Sequence, residues 1–401
     1  MELLGLYLSI PFCRSKCTYC NFASGVFPTA IHEGYLARLE EDLRVLRAQA
    51  EAWNATLPEA ADSIYLGGGT PTLLAPALVR RLFTALRREF AVLPTAEITV
   101  ECAPGQLTPE AMDALADCGV NRVSFGVQSF VDSEARQTGR LHTRAVALED
   151  IARVRAAGIR EVSVDLIAGM PGQTLDSWFE SLGVLADTGV DHASVYMLEV
   201  DDESRLGREM LLGGGRYHAQ QVPDDDRIAE MYSEAIGILA GCGLAQYEIS
   251  NFARAGHESR HNRKYWRREP YLGFGLDAHS MLRAHNGAAL RFATTDDLET
   301  YLADPGWADS PPRWLSRDEE LEEAWFLGLR LNEGVSLAAL REEFSAPAVR
   351  ACLATVAELE DENLLRMLDG DRVALTPRGR LLSNEVFARF LAEPAAEPAL
   401  A

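Results

Sequence analysis

Short apolar runs alternate with helical stretches through the first half of this chain, and that rhythm restricts the fold more than any other feature. The runs are GLYLSI (5–10), SIYLGGG (63–69), EITVECA (97–103), RVSFGV (122–127), EVSVDLIAG (161–169) and HASVYML (192–198). Helical patterns fill the spaces near 31–52, 76–90, 109–118, 143–157 and 174–187. Thr108 and Pro109 give one of these helices a cap and a first-turn proline, and Gly119 gives it a stop. Gly158 and Gly189 end two others in the same way. Strands this apolar, joined by helices, belong in a parallel sheet covered on both faces. Six such units form either an open doubly wound sheet or an incomplete (β/α) barrel, and periodicity does not choose between them.

Beyond residue 200 the rhythm breaks. A glycine-rich loop leads into a helix near 225–241, and YEISNFARAGHESRHNRKYWRREPYLGFGLDAHS reads as mostly irregular or edge structure. The proline-marked stretch DSPPRW (309–314) divides a first domain, 1–308, from a second, 309–391. In the second, helical patterns at 318–331, 336–344 and 347–362 precede two short apolar runs around Asp369-Gly370, a hairpin signal. Three helices and a two-stranded wing predict a small winged-helix-like domain. Its third helix sets Arg350 among Glu358, Glu360, Asp361 and Glu362, which is unlike a DNA-reading helix and favours a structural or docking role. The tail 392–401 is expected to be disordered.

Composition narrows the partners. The formal charge is -22, and Lys16 and Lys264 are the only lysines, so nucleic acid is not an expected ligand. No apolar run reaches membrane-spanning length, and the amino terminus reads as a first strand rather than a leader. Cys102, Cys118, Cys242 and Cys352 lie singly and far apart, which suits a cytoplasmic setting.

The remaining cysteines do not lie singly. Cys13, Cys17 and Cys20 fall within PFCRSKCTYCNF, directly after the first strand, and parallel α/β folds gather their chemistry at that end of a strand. A cubane iron–sulfur cluster is usually held by four thiolates, so three would leave one iron open to an outside ligand. The alternatives are a zinc site completed by a distant histidine, or three incidental thiols. GGGTP (67–71) follows the second strand, where glycines allow close backbone approach and offer free N–H donors. Later strands each end in one polar residue: Glu101, Gln128 and Asp165. Such groups need partners where they are buried, and Arg140 could supply a counter-charge or grip a carboxylate bidentately.

The Cys-x3-Cys-x2-Cys spacing, with Tyr19 before the last cysteine, resembles the radical S-adenosylmethionine (SAM) superfamily. YLSIPFCRSKCTYCNF, YLGGGTPTLL, RVSFGVQSF, SVDLIAGMPGQT and YEISNFA resemble, more closely, the family of oxygen-independent coproporphyrinogen III oxidase and the HemW-type heme chaperones. The resemblance covers nearly the whole chain. It implies an incomplete parallel barrel with a [4Fe–4S] cluster on Cys13, Cys17 and Cys20. It also implies SAM contacts from Tyr7, Tyr19, Gly68, Gly69, Thr70, Glu101, Gln128, Arg140 and Asp165.

Two features divide the branches of that family. The oxidase pattern, Cys-x3-Cys-x2-Cys-x-Cys, calls for a further thiol where this chain has Asn21-Phe22. Only 12 residues precede Cys13, where the oxidase carries a longer extension. HNRKYW (261–266) matches the His-Asn-x-x-Tyr-Trp motif of the chaperone branch. The resemblance therefore implies heme held by His261 with Tyr265 and Trp266 as aromatic cover, and His257 and His279 as nearby alternatives. The expected partners are heme and the apo-forms of heme proteins. A homodimer and transient contact with membrane proteins are compatible with this reading. The alternatives are the oxidase itself and a radical SAM enzyme acting on another substrate, with the missing thiol weighing against the former.

Overall fold

The structure, a computed structural model, describes residues 2–303 and 312–391. The expected boundary at 308/309 and the 392–401 tail lie outside these residues. Six parallel strands form the centre: β1 (Leu4–Ile10), β2 (Ala60–Gly68), β3 (Ala91–Cys102), β4 (Arg122–Gln128), β5 (Glu161–Ala168) and β6 (His192–Met197). They stand side by side in chain order, each crossing over through a helical connection. The strand interiors are almost wholly buried, as helix-covered parallel strands must be. The caps follow the sequence: the Thr108 hydroxyl accepts from Ala111 N, Pro109 opens the helix, and Gly189 closes another at φ 61°.

Two expectations need correction. β3 begins at Ala91, ahead of the apolar run, because Ala91 and Val92 pair with Ala60 and Ala61 before a register shift that accommodates Pro94. The stretch after residue 250 is more ordered than its composition suggests. Tyr271–Phe274 is a fully buried strand running parallel to β1, and His279–Arg283 and Ala289–Ala293 extend the sheet antiparallel beyond it. At the other edge, Asn251–Ala253 lies antiparallel to β6. The two outermost strands of this sheet do not pair with each other, so the barrel is incomplete.

The carboxyl-terminal part has its own hydrophobic core, around Trp325, Val349, Leu359 and Val373. Helices Arg317–Gly328, Leu337–Phe344 and Ala346–Asp361 precede a hairpin of Leu365–Leu368 and Arg372–Leu375. Asp369 and Gly370 both take positive φ at its turn (50° and 72°), as the sequence predicted. This part is tied to the barrel by backbone as well as side chains. Asn332 N donates to Tyr247 O at 2.9 Å, its side chain donates to Gln246 O at 2.7 Å, and Leu331 bridges to Glu248.

Candidate cofactor site

The carboxyl ends of β2 to β6 surround a cavity of about 710 Å³, and Cys13, Cys17 and Cys20 lie together in its wall. The loop that carries them is fixed at its stem and along its length. Phe12 is buried, stacked 3.8 Å from His32 and edge-on to Tyr35. Cys13 N donates to Gly25 O at 2.8 Å, and Gly25 N donates back to Pro11 O at 2.9 Å. Farther along, Thr18 N donates to Thr138 O at 3.1 Å, and Leu206 N donates to Thr18 O at 2.9 Å. All three thiols are free of disulfides. Arg140 supplies the opposing charge. Burial works against its cation, but Tyr19, Cys17 and Cys20 beside it hold its pKa above the ordinary value. Three thiols free of disulfides in one wall beside a half-buried guanidinium fit an anionic iron–sulfur cluster.

The glycine loop does something other than expected. Its N–H groups are not free: Gly68 N donates to Glu101 Oε2 at 3.2 Å, Gly69 N to Ile10 O at 2.9 Å and Thr70 N to Phe12 O at 2.7 Å. Gly68 has φ 97°, a conformation that favours glycine. A Cβ on Gly69 would stand 2.8 Å from Ile10 O, Phe12 O and the Pro11 carbonyl carbon. The glycine is thus needed for contact with the stem of the cysteine loop, and Gly68, Gly69 and Thr70 also line the cavity.

The polar strand ends meet in the same cavity. Glu101 accepts from Tyr65 Oη at 2.9 Å as well as from Gly68 N. Burial is the main force on its carboxyl, whose pKa is pushed up to about 7. Asp165 is also raised by burial, and both its oxygens lie 3.1 Å from Ser124 Oγ, which donates to them. Gln128 takes φ 69°, and its Oε1 is buried without a hydrogen-bond partner. Arg140 Nε is buried and unpartnered too. Tyr19 packs against the cluster of Ile167, Met170 and Leu198. Unsatisfied acceptor and donor atoms beside two carboxylates suit a polar, zwitterionic ligand such as SAM.

Other predicted residues lie elsewhere. Tyr7 is not in the cavity wall; it sits beneath Gly68, its ring 6.0 Å from Tyr65. His261 is fully buried, with Nδ1 2.9 Å from Ser63 Oγ and Nε2 2.7 Å from Tyr265 Oη. Its backbone N–H donates to Glu97, which also receives Arg260 N and Ser259 Oγ at the start of helix Arg260–Trp266. Burial pulls the imidazole down to about 3, so it is neutral. It has no nitrogen free for a metal in this arrangement. His257 pairs with Glu161 at 2.7 Å, and the exposed His279 lies beside Asp277, neither in the cavity wall. Trp266 lies under the guanidinium of Arg330, 4.2 Å from the ring centroid.

Sequence reasoning missed what the carboxyl-terminal part contributes. Arg330 and the segment Leu381–Glu385 complete the cavity wall. They lie more than 300 residues from the cysteine loop in the chain, and no local pattern marks them. Ser124 could have been found, since it faces the same way as Gly126 and Gln128 on β4.

The likeness to known proteins covers both parts. Residues 7–210 match the Radical SAM superfamily and residues 315–382 match the HemN C-terminal domain. The chain is 33% identical over 393 residues to a protein named heme chaperone HemW from Bacillus subtilis, covering 96% of this chain and 99% of that one. It is 32% identical to the protein of the same name from Lactococcus lactis, with 96% of each chain covered. Among solved structures, coproporphyrinogen III oxidase (HemN) from Escherichia coli matches with a TM-score of 0.81 at 23% identity, covering 97% of this chain and 90% of that one. That last likeness is one of fold. The loop of three thiols, the parallel barrel around it and these matches place the chain in the radical SAM superfamily, within the family of the HemW proteins.

Proposed function

We propose that this protein binds heme and passes it to heme-requiring proteins, and that it carries a [4Fe–4S] cluster on Cys13, Cys17 and Cys20 with SAM beside it. The observation that carries the reading is the cysteine loop. Three thiols face the cavity, and the position where the oxidase pattern has another thiol holds Phe22, 63% exposed at the rim. The names of the relatives point the same way. When bound, a cluster with one open iron supplies a chelation point for the amino and carboxylate groups of SAM. The chain's own groups do the positioning. Arg140 offsets anionic charge, Gln128 and Glu101 offer acceptors, and Ser124 orients Asp165.

His261 remains the proposed iron ligand, under a definite condition. Ligation would require it to give up Ser63 or Tyr265, with helix Arg260–Trp266 withdrawing from Glu97. Anaerobic reconstitution followed by heme titration tests the whole reading. Cys13→Ala, Cys17→Ala and Cys20→Ala should each lose the cluster absorbance, while Cys352→Ala keeps it. Wild type should take up heme with a defined Soret band, and His261→Ala should shift that band. Sustained conversion of coproporphyrinogen III to protoporphyrinogen IX, with SAM and a reductant, would replace this reading with the oxidase one.

A further inference from the structure

We infer that Arg330 is the anion anchor of the cavity, receiving a carboxylate substituent of the bound ligand; on the heme reading above, that substituent is a propionate. Arg330 follows helix Arg317–Gly328 and stands in the cavity wall with Tyr232, Ile249 and Leu382. Its guanidinium lies 4.2 Å from the ring centroid of Trp266 and 6.0 Å from that of Phe387. Two aromatic contacts restrict the guanidinium before any ligand arrives, which lowers the ordering cost of a bidentate bond.

Unlike Arg263, Arg267, Arg268 and Arg291, Arg330 has no ion pair. Arg263 and Arg267 share Glu333, Arg268 pairs with Glu343, and Arg291 with Glu323. Among the described residues, Arg330 makes no salt bridge, and its Nε is buried without a hydrogen-bond partner. Glu248 lies close enough to feel its field; its Oε1 accepts from Ser250 N and Asn251 Nδ2, its Oε2 is buried without a hydrogen-bond partner, and it makes no salt bridge to Arg330. An aromatic-braced cation beside Tyr232, Ile249 and Leu382 suits a flat apolar ligand bearing a carboxylate. Leu141 and Tyr196, exposed at the rim, suit the apolar part of such a ligand. Trp266 of the sequence motif then acts on the ligand through Arg330 rather than by direct stacking.

The test uses reconstituted full-length protein titrated with hemin and with hemin dimethyl ester, whose propionates carry no charge. Wild type should bind hemin more tightly than the ester. Arg330→Leu should lose about tenfold or more toward hemin and leave ester binding unchanged, with Arg330→Lys intermediate. Iron and sulfide content serves as the control for folding. Equal wild-type affinity for the two probes overturns the anchor without help from any variant. Equal loss of both probes in Arg330→Leu assigns the residue to packing and also overturns it. Hemin binding that Arg330→Leu leaves intact removes the anchor but leaves the heme reading standing. Failure of wild type to bind either probe removes both.

Discussion

A buried carboxyl that titrates near neutrality makes the cavity sensitive to pH. Glu101 is raised from 4.5 to about 7 by burial, so the unliganded fold prefers it protonated. Its contribution to stability is therefore full below about 4.5 and is lost as pH rises through about 7. A ligand that donates hydrogen bonds to Glu101 needs the ionised form and reverses that preference. SAM affinity should rise from pH 6 to pH 8, changing by up to about tenfold per unit below the pKa. Calorimetric titration at the two pH values checks this, and Glu101→Gln should abolish the slope. A flat profile in the wild type would remove Glu101 from the SAM site. Such residues were partly legible in the sequence. Cys13, Cys17 and Cys20 could be read because their spacing is local, and Glu101 and Asp165 because a polar residue at the end of an apolar strand needs a reason. The packing of Gly69 against the Ile10–Phe12 backbone was not legible, since sequence does not show which backbone lies opposite a glycine.

At the level of elements, the glycine loop and the cysteine loop form one unit. Gly69 accepts no side-chain bulk against residues 10–12, and residues 69 and 70 are joined to them by two backbone hydrogen bonds. Gly69→Ala should therefore displace the cysteine loop, at a cost on the order of 2 kcal/mol, and lower reconstituted iron content several-fold. Gly34→Ala, in a helix where a Cβ meets nothing within 4 Å, should leave iron content unchanged and raise stability slightly. Iron retention in Gly69→Ala equal to that in Gly34→Ala would separate the two loops. The elements most easily read were the long apolar strands and capped helices, whose signals are internal. Tyr271–Phe274 escaped because it is four residues long and is interrupted by a glycine. Pairing with β1 makes it a strand. The Pro94 end of β3 escaped for the opposite reason, since a proline normally argues against a ladder.

For the molecule as a whole, two hydrophobic cores stand on either side of a polar seam. Arg267–Glu333 crosses it as an exposed ion pair, which contributes little by itself, and Arg268–Glu343, Arg283–Glu320 and Arg291–Glu323 cross it with more burial. Among the described residues Ile249 carries barrel-side sequence into the second core, while Leu381 packs against the first. The cavity is built by both parts, cysteine loop and strand ends on one side, Arg330 and Leu381–Glu385 on the other. Parts with separate cores joined largely by polar contacts are expected to melt in separate steps. A ligand spanning the cavity would then act as a thermodynamic weld, because melting either part alone forfeits its binding energy. Scanning calorimetry of the reconstituted protein should show two overlapping endotherms without heme and a single sharper one with it. Endotherms that stay apart in saturating heme would mean that the ligand rests on one part alone. If they merge, heme release is governed by how often the seam opens, and a recipient protein that levers it apart would receive the heme without having to outbind the donor.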